Sequence, residues 1–198
     1  MGLELLYIDG QTPLDEDEKE GLRIKSISTR GELDEFEQLN IEQAIQWTLG
    51  KKWSQEYILS EEFVKELHRQ MYKEVWKWAG EFRKTNKNIG VDKYQISVSL
   101  KQLLGDCLYW IAHKTYTEDE IAIRFKHKLV QIHCFPNGNG RHSRLMADII
   151  ISHIFGKPFF SWGRNNLTKK GEARQNYLSA IRLADKGNYD SLTRFSRS

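Results

Sequence analysis

Apolar residues recur every three or four positions along most of this chain, which is the spacing of one face of an α-helix. Thr29 and Glu32 form a capping-box pair, and the stripe behind them predicts a helix over residues 31–49. Ser60 caps a second predicted helix, whose stripe reaches Trp78 and which Gly80 ends. Further helices are expected near residues 100–113, 119–131, 144–155, 172–184 and 189–195. The pattern therefore predicts an all-α fold.

Two segments interrupt the helical pattern. Residues 1–28 are interpreted as an irregular lead-in, with Tyr7 and Ile8 as a docking point and a solvated acidic run at 15–20. Residues 81–96 are polar and β-branched with several turn residues, which predicts a hairpin or an irregular flap. No repeat, low-complexity tract or linker is found, so residues 29–198 are expected to form a single domain.

Composition and charge exclude several classes of protein. Thirty basic and 27 acidic residues give a net charge of +3, a balanced surface that does not predict nucleic-acid binding. No apolar run approaches the ~20 residues of a membrane span, and no secretory signal opens the chain, so a cytoplasmic location is expected. The two cysteines, Cys107 and Cys134, form no disulfide framework and suit a reducing compartment.

The chemistry is concentrated in a loop at residues 133–144, between two predicted helices. Gly138 and Gly140 let backbone N–H groups approach a ligand closely, and the following helix N-terminus favours a phosphate. Arg141 and Arg144 lie three apart on one helix face and can bind polyphosphate oxygens. His133, with an unperturbed pKa near ~6.5, can accept a proton from an incoming hydroxyl. These residues predict a nucleotidyl- or phosphoryl-transfer site.

Other interpretations of the loop are open from the residues alone. His133 and His142 are spaced as a metal pair could be, and a Gly-Asn-Gly run can be an ordinary turn. Cys134 next to His133 raises a cysteine–histidine nucleophile, although adjacent side chains on one backbone rarely point together. The two arginines in register with the helix favour the phosphate site over these alternatives.

The run resembles the signature of the Fic family, His-x-Phe-x-(Asp/Glu)-Gly-Asn-Gly-Arg-x-x-Arg. The matching residues are His133, Phe135, Gly138, Asn139, Gly140, Arg141 and Arg144. Asn137 departs from the signature, since the family usually has a Mg²⁺-binding carboxylate there. The whole chain is most similar to the bacterial Fic subgroup called mobile mystery protein B. The resemblance covers roughly residues 30–195 and implies a Fic-type helical bundle with a small β-hairpin flap.

For activity, the resemblance implies a protein adenylyltransferase that moves AMP from ATP to a Ser, Thr or Tyr hydroxyl of a target protein. His133 would be the general base, and Phe135 would anchor the loop in the core. A Mg²⁺ ion would be bound weakly at Asn137 and mainly by the nucleotide, because an amide oxygen carries no charge. The implied phosphate-binding positions are Gly138, Asn139, Gly140, Arg141 and Arg144.

The resemblance also implies where the target protein and the adenine base of ATP would bind. The target segment would pair with the flap by strand addition, and the adenine would lie against the helix after the signature. Gln175 and Tyr177 are the candidates there, with the tyrosine face stacking on the base; plain core packing of Tyr177 is the alternative. The flap positions are Lys87, Asn88, Ile89 and Gly90, for which an ordinary surface hairpin is the alternative.

Regulation is implied as well. Many Fic proteins are inhibited by a helix whose glutamate pairs with the second signature arginine, and residues 29–50 are the candidate helix here. Glu37 is the candidate glutamate, although Leu33 and Gln38 depart from the inhibitory motif; a solvated glutamate is the alternative. The expected partners are a target protein, an antitoxin or other regulatory protein, and further copies of the chain, with no nucleic acid and no membrane.

Three functions remain in competition. The first is AMP transfer, as by a regulated bacterial toxin. The second is transfer of another nucleotide or phosphate-linked group; Gly140, where kinase-like Doc proteins have lysine, favours nucleotidyl transfer. The third is a catalytically impaired nucleotide-binding module in which Asn137 reports lost metal use. Retention of His133 argues against it, because an inert module has no use for a base.

Overall fold

The computed structural model describes residues 12–164 and 171–198, and the helical fold is confirmed in them. The helices are α1 (Glu16–Glu20), α2 (Arg30–Leu49), α3 (Gln55–Ile58), α4 (Glu61–Tyr72), α5 (Ile96–His113), α6 (Glu118–Ile132), α7 (Asn139–Ile149), α8 (Glu172–Asp185) and α9 (Asp190–Arg197). Helix α7 continues as a π-turn at Ile150–Ile154, and short 3₁₀ turns lie at Lys93–Gln95 and Trp162–Arg164. None of the described helices is long and apolar enough to cross a membrane.

The predicted caps are present. Thr29 Oγ1 accepts a hydrogen bond from the Glu32 N–H at 3.3 Å, and the Glu32 carboxylate accepts from the Thr29 N–H at 3.0 Å. Ser60 Oγ likewise accepts from the Phe63 N–H at 3.1 Å, at the start of α4. The two helices therefore begin within a residue of the positions that the cap pattern predicts.

Helix α4 ends six residues before Trp78, which is earlier than the apolar stripe suggests. The cause is Asn40 on α2, which is buried and bonded to both sides of the break. Its Nδ2 donates to the Gln70 carbonyl, and its Oδ1 accepts from the Glu74 N–H, each at 3.0 Å. A side chain from another helix thus replaces the backbone partners of the next turn, and residues 73–80 fold as turns.

The core lies along α6 and α7, which pack on each other, with α4 and α5 alongside. Helix α7 begins at Asn139, five residues before the predicted start at 144, and all of its residues are buried or half-buried. The loop 133–138 joins these two central helices, so its backbone is fixed at both ends. Fully buried core side chains include Leu67, Trp76, Leu100, Phe125, Met146 and Ile149.

The N-terminal segment is more ordered than the sequence predicts. Residues 12–28 contain α1 and bury Leu14, Leu22 and Ile27 against the bundle. The Arg23 N–H donates to the Val75 carbonyl at 2.9 Å, beside an isolated antiparallel bridge between Leu22 and Trp76. The helix α1 buries none of its residues fully, which agrees with a solvated acidic run. Tyr7 and Ile8 lie outside the described residues.

The flap is irregular, and the described residues 81–92 do not form the small β-hairpin that the resemblance implies. Residues 81–92 contain bends and no assigned strand, and a buried guanidinium links the two arms instead of a strand ladder. Arg83 Nη1 donates to the Thr85 carbonyl at 2.8 Å, and Nη2 donates to the Val91 carbonyl. Arg83 Nε also donates to the His133 carbonyl at 2.6 Å, which ties the flap to the end of α6.

Candidate active site

His133 ends helix α6 in a left-handed conformation, with φ of 58°. Its side chain is 4% exposed, and Nε2 lies 3.2 Å from Thr12 Oγ1. Burial lowers the pKa of His133 to about 4, and the nearby Arg83 charge acts in the same direction. The imidazole is therefore neutral at pH 7 and able to accept a proton.

Gly90 brings the flap against this histidine. A Cβ at position 90 would lie 2.6 Å from His133 Cβ, and φ there is +103°, a conformation that favours glycine. Of the predicted flap residues, Asn88, Ile89 and Gly90 are exposed. Lys87 is different, because its side chain is 3% exposed and forms ion pairs with Asp15 at 2.9 Å and Glu18 at 2.6 Å.

The conformation of the signature loop is stabilised by hydrogen bonds between a side chain and the loop backbone. Asn139 Oδ1 accepts from the Phe135 N–H at 2.9 Å, and Asn139 Nδ2 donates to the Phe135 carbonyl at 2.8 Å. The Phe135 ring is fully buried and stacks on His68, with ring centroids 3.7 Å apart. Phe135 thus lies in the core, as predicted. The Asn139 side chain thus fixes the shape of the loop through both of its polar atoms.

His68 is a positioning residue that sequence reasoning missed. Its Nδ1 accepts from the Gly80 N–H at 3.0 Å, so the ring hydrogen is on Nε2, which donates to the Asn137 carbonyl at 3.1 Å. Burial lowers the pKa of His68 well below its usual value, which keeps this tautomer neutral. His68 lies 65 residues before the signature on another helix, and no local pattern marks it.

The two loop glycines have different surroundings. Gly138 has φ of +78°, and a Cβ there would meet the Tyr72 ring at 2.5 Å. Gly140 lies in the first turn of α7, where a Cβ would meet nothing within 4 Å. Gly138 is thus required by packing and backbone conformation, whereas Gly140 faces open space at the helix N-terminus. That open face is where an anion can approach the backbone.

The two signature arginines of α7 contact different partners. Arg141 Nη2 forms an ion pair with Glu37 Oε2 at 2.6 Å, and Trp76 Nε1 donates to Glu37 Oε1 at 2.6 Å. Burial alone would lower the pKa of Arg141, but the Glu37 charge outweighs it and the pKa is raised. The partner of Glu37 is the first signature arginine, not the second as the family pattern implies. The glutamate is buried rather than solvated.

Arg144 lies against helix α8, which carries the predicted base-binding residues. The Arg144 guanidinium lies 5.7 Å from the Tyr177 ring centroid, and Lys126 Nζ lies 4.7 Å from it. Tyr177 is buried by these two cations, and Gln175 is exposed on α8. Lys126 was not anticipated from the sequence. The base-binding role of Tyr177 and Gln175 stays a prediction.

Asn137 does not have the surroundings of a metal ligand. Its Oδ1 accepts from the Gly138 N–H at 2.6 Å, and its Nδ2 donates to the Thr12 carbonyl at 3.2 Å. Among the described residues, no group of three His, Cys, Asp or Glu side chains could hold a metal ion. A Mg²⁺ ion prefers carboxylate oxygens, and this neutral amide is already engaged, so the residues present do not fit a protein-held Mg²⁺.

The metal-pair and cysteine-nucleophile interpretations of the loop are not supported, because His142 and Cys134 are buried in the core. His142 Nε2 lies 2.9 Å from the Val64 carbonyl, and burial lowers the pKa of His142 to about 3, so this residue belongs to the core. Burial raises the pKa of Cys134 to about 12, which keeps the thiol protonated and poorly nucleophilic. Neither the metal pair nor the cysteine nucleophile is supported.

Comparison with known proteins gives a family match over part of the chain and several structural relatives. Residues 58–151 match the family model described as the Fic/DOC family. The structure of BepC from Bartonella tribocorum with bound AMPPNP aligns at a TM-score of 0.69 and 17% identity, over 92% of this chain and 97% of that chain. The N-terminal Fic domain of a VirB-translocated Bep effector from Bartonella quintana with bound ADP aligns at 0.62 and 16%, over 87% and 86%.

A longer relative aligns over only part of its length. Fic-1 (residues 134–508 of that protein) from C. elegans aligns at a TM-score of 0.64 and 24% identity, over 80% of this chain and 46% of that chain. This chain therefore spans about half the length of the Fic-1 structures that it matches. At such identities the structural likeness establishes a Fic-type helical fold.

Proposed function

We propose, from the Fic/DOC family domain at residues 58–151, that this chain is a protein adenylyltransferase. It would transfer AMP from ATP to a Ser, Thr or Tyr hydroxyl of a target protein. The observation that carries the proposal is a buried, neutral His133 with a hydroxyl at Nε2, beside a glycine loop that opens a helix N-terminus. This is the arrangement of a general base next to a phosphate site.

The reaction needs positioning and charge neutralisation more than covalent help. The acceptor hydroxyl oxygen attacks the α-phosphorus of ATP, and its proton passes to His133 Nε2. A bond forms between that oxygen and phosphorus, the bond from the α-phosphorus to the bridging oxygen breaks, and pyrophosphate leaves. The residues that would bind the phosphates are Gly138, Asn139, Gly140, Arg141 and Arg144.

ATP as the donor is supported by the AMPPNP and ADP bound in two of the structural relatives. The loop of this chain supplies no carboxylate for Mg²⁺, so any such ion would be bound by the nucleotide phosphates. Transfer of another nucleotide or phosphate-linked group is the second candidate. It is favoured by Tyr177, which packs between Lys126 and Arg144 and so leaves base selection less defined.

Regulation through Glu37 is part of the proposal. Arg141 must be free to bind a phosphate, yet its guanidinium is paired with Glu37 at 2.6 Å. The described conformation would therefore be an inhibited one, and a regulatory protein or antitoxin would act on the same contact. Membership of the mobile mystery protein B subgroup, a bacterial toxin role, a cytoplasmic location and self-association are further parts of this proposal that rest on the resemblance.

The test compares ATP carrying radioactive phosphorus at the α position with ATP carrying it at the γ position. The purified chain with Glu37→Gln and a mixture of candidate target proteins are incubated with each, alongside the same variant with His133→Ala and with the exposed-site control His113→Ala. We expect protein-bound label only from α-labelled ATP, absent with His133→Ala and unchanged with His113→Ala. Label from γ-labelled ATP would establish phosphorylation instead, and label that survives His133→Ala would remove the proposed base.

A further inference from the structure

The hydroxyl that lies at His133 belongs to this chain itself. Thr12 Oγ1 is 3.2 Å from His133 Nε2, and Thr12 is 7% exposed although it lies in the N-terminal segment. A proton-accepting base must lie within about 2.6–3.2 Å of the group that it deprotonates. Thr12 is therefore placed where the acceptor hydroxyl of a target has to lie.

The backbone next to this hydroxyl is held by hydrogen bonds, as the backbone of a bound peptide would be. Asn137 Nδ2 donates to the Thr12 carbonyl at 3.2 Å, and Lys87 Nζ donates to the Pro13 carbonyl at 3.4 Å. Lys87 also forms ion pairs with Asp15 and Glu18, at 2.9 and 2.6 Å. The loop and the flap thus bind residues 12–18 through two backbone carbonyls next to the hydroxyl and two ion pairs farther along.

These contacts also explain why an amide side chain is present at position 137. The Gly138 N–H donates to Asn137 Oδ1 at 2.6 Å, so the amide NH₂ faces the Thr12 carbonyl and donates to it. A carboxylate at position 137 has no hydrogen to donate and would repel that carbonyl oxygen. The one departure from the Fic signature is the residue whose chemistry is needed to hold Thr12.

A second contact positions the same segment from the flap. Thr85 Oγ1 donates to Asp15 Oδ2 at 2.6 Å, three residues after Thr12. Together with Lys87, it holds the start of α1 over the flap, which is the surface proposed to receive a target. The N-terminal segment therefore occupies both parts of the acceptor site, the flap and the base.

We propose that Thr12 is an intramolecular acceptor, so that the chain transfers AMP to its own N-terminal segment. The inference rests on the proposed nucleotidyl transfer. The Thr12 oxygen attacks the α-phosphorus of ATP, the hydroxyl proton passes to His133 Nε2, and pyrophosphate leaves. The product is a phosphodiester that joins Thr12 Oγ1 to adenosine, and the reaction needs no oxidant, reductant or substrate other than ATP and this chain.

The test maps the modified residue by peptide mass spectrometry after incubation with ATP and Mg²⁺. The variants are Thr12→Val, which keeps the shape without the hydroxyl, Thr12→Ser, which keeps the hydroxyl, and Thr115→Val, at an exposed threonine outside the site, as a control. Each is made in the parent and in Glu37→Gln, which frees Arg141. We expect AMP at position 12 in Glu37→Gln and in Glu37→Gln with Thr12→Ser, at a first-order rate that is independent of protein concentration, and more slowly in the parent chain. We expect none at that position in Thr12→Val.

The outcomes separate this inference from the proposed function. AMP on other residues, undiminished in Thr12→Val, would overturn the inference and leave nucleotidyl transfer intact. An unmodified Thr12, with faster labelling of other proteins by Thr12→Val, would make Thr12 a blocking group and overturn the inference too. A rate proportional to protein concentration would replace intramolecular transfer by transfer between chains. No AMP on any protein, even with Glu37→Gln, would overturn both proposals.

Discussion

Replacement of Glu37 by glutamine should reduce stability and increase nucleotide affinity at the same time. The substitution keeps the side-chain shape and the acceptor for Trp76 Nε1, and removes the charge that faces Arg141. The Glu37 and Arg141 side chains are 3% and 17% exposed, so the guanidinium would be left buried without its counter-ion. Loss of one partner of a buried ion pair costs about 3–5 kcal/mol.

The partial exposure of Arg141 places the expected loss at the low end, about 3 kcal/mol. For a chain of this length, each kcal/mol lowers the melting temperature by about 2–4 °C, so the midpoint should fall by about 6–12 °C. Nucleotide phosphates in the parent must displace Glu37 from Arg141, and in the variant they need not. Since about 1.4 kcal/mol is a factor of ten, the affinity for ATP should rise by up to about 100-fold.

The assay is thermal unfolding with and without ATP, together with calorimetric titration of a non-hydrolysable ATP analogue. Glu35→Gln is the matched control, because Glu35 is an exposed glutamate on the same helix. Saturating nucleotide should restore more of the lost stability in Glu37→Gln than it adds to the parent. If Glu37→Gln unfolds and binds the analogue as the parent and Glu35→Gln do, the Glu37 contact does not compete with phosphate.

Three further perturbations test the site, and a fourth tests the N-terminal segment. Because the pKa of His133 is lowered to about 4, the labelling rate should stay constant from about pH 8 to well below the ordinary histidine pKa of ~6.5. The rate should fall only when His133 is protonated, and a midpoint near ~6.5 would contradict this. Gly138→Ala should lower the free energy of unfolding by at least about 1–2 kcal/mol, because φ is positive and Tyr72 lies 2.5 Å from the new Cβ. Gly140→Ala should unfold like the parent in urea but bind ATP more weakly, because its methyl group occupies the open anion face; equal affinity would contradict this. Asn137→Asp should loosen the Thr12 carbonyl, seen as faster amide hydrogen exchange over residues 12–20; unchanged exchange would show that the amide does not hold that segment.

What the sequence predicted well depends on neighbours along the chain. The capping box at Thr29, the cap at Ser60 and the apolar stripe of α7 are local features, and each marks an element that the structure contains. The segment 133–144 is also local, so a helix N-terminus beside its glycines could be predicted. The family match at residues 58–151 covers the same region.

What the sequence did not predict depends on contacts between distant residues. Asn40 shortens α4 from another helix, and His68 sets the Asn137 carbonyl from 69 residues away. Thr12 reaches His133 across 121 residues, and Glu37 reaches Arg141 across 104. Helical periodicity places a residue on a face but does not say which distant side chain lies opposite, so these partners had to come from the structure.

The most direct measurement of the central claim is the intact mass of the chain and of a labelled target after incubation with ATP. It is made with Glu37→Gln and with the double variant Glu37→Gln, His133→Ala. We expect the single variant to produce a protein heavier by one AMP group, with pyrophosphate released in equal amount, and the double variant to produce none. A gain of a phosphate group, or an AMP gain that does not depend on His133, would contradict nucleotidyl transfer by this base.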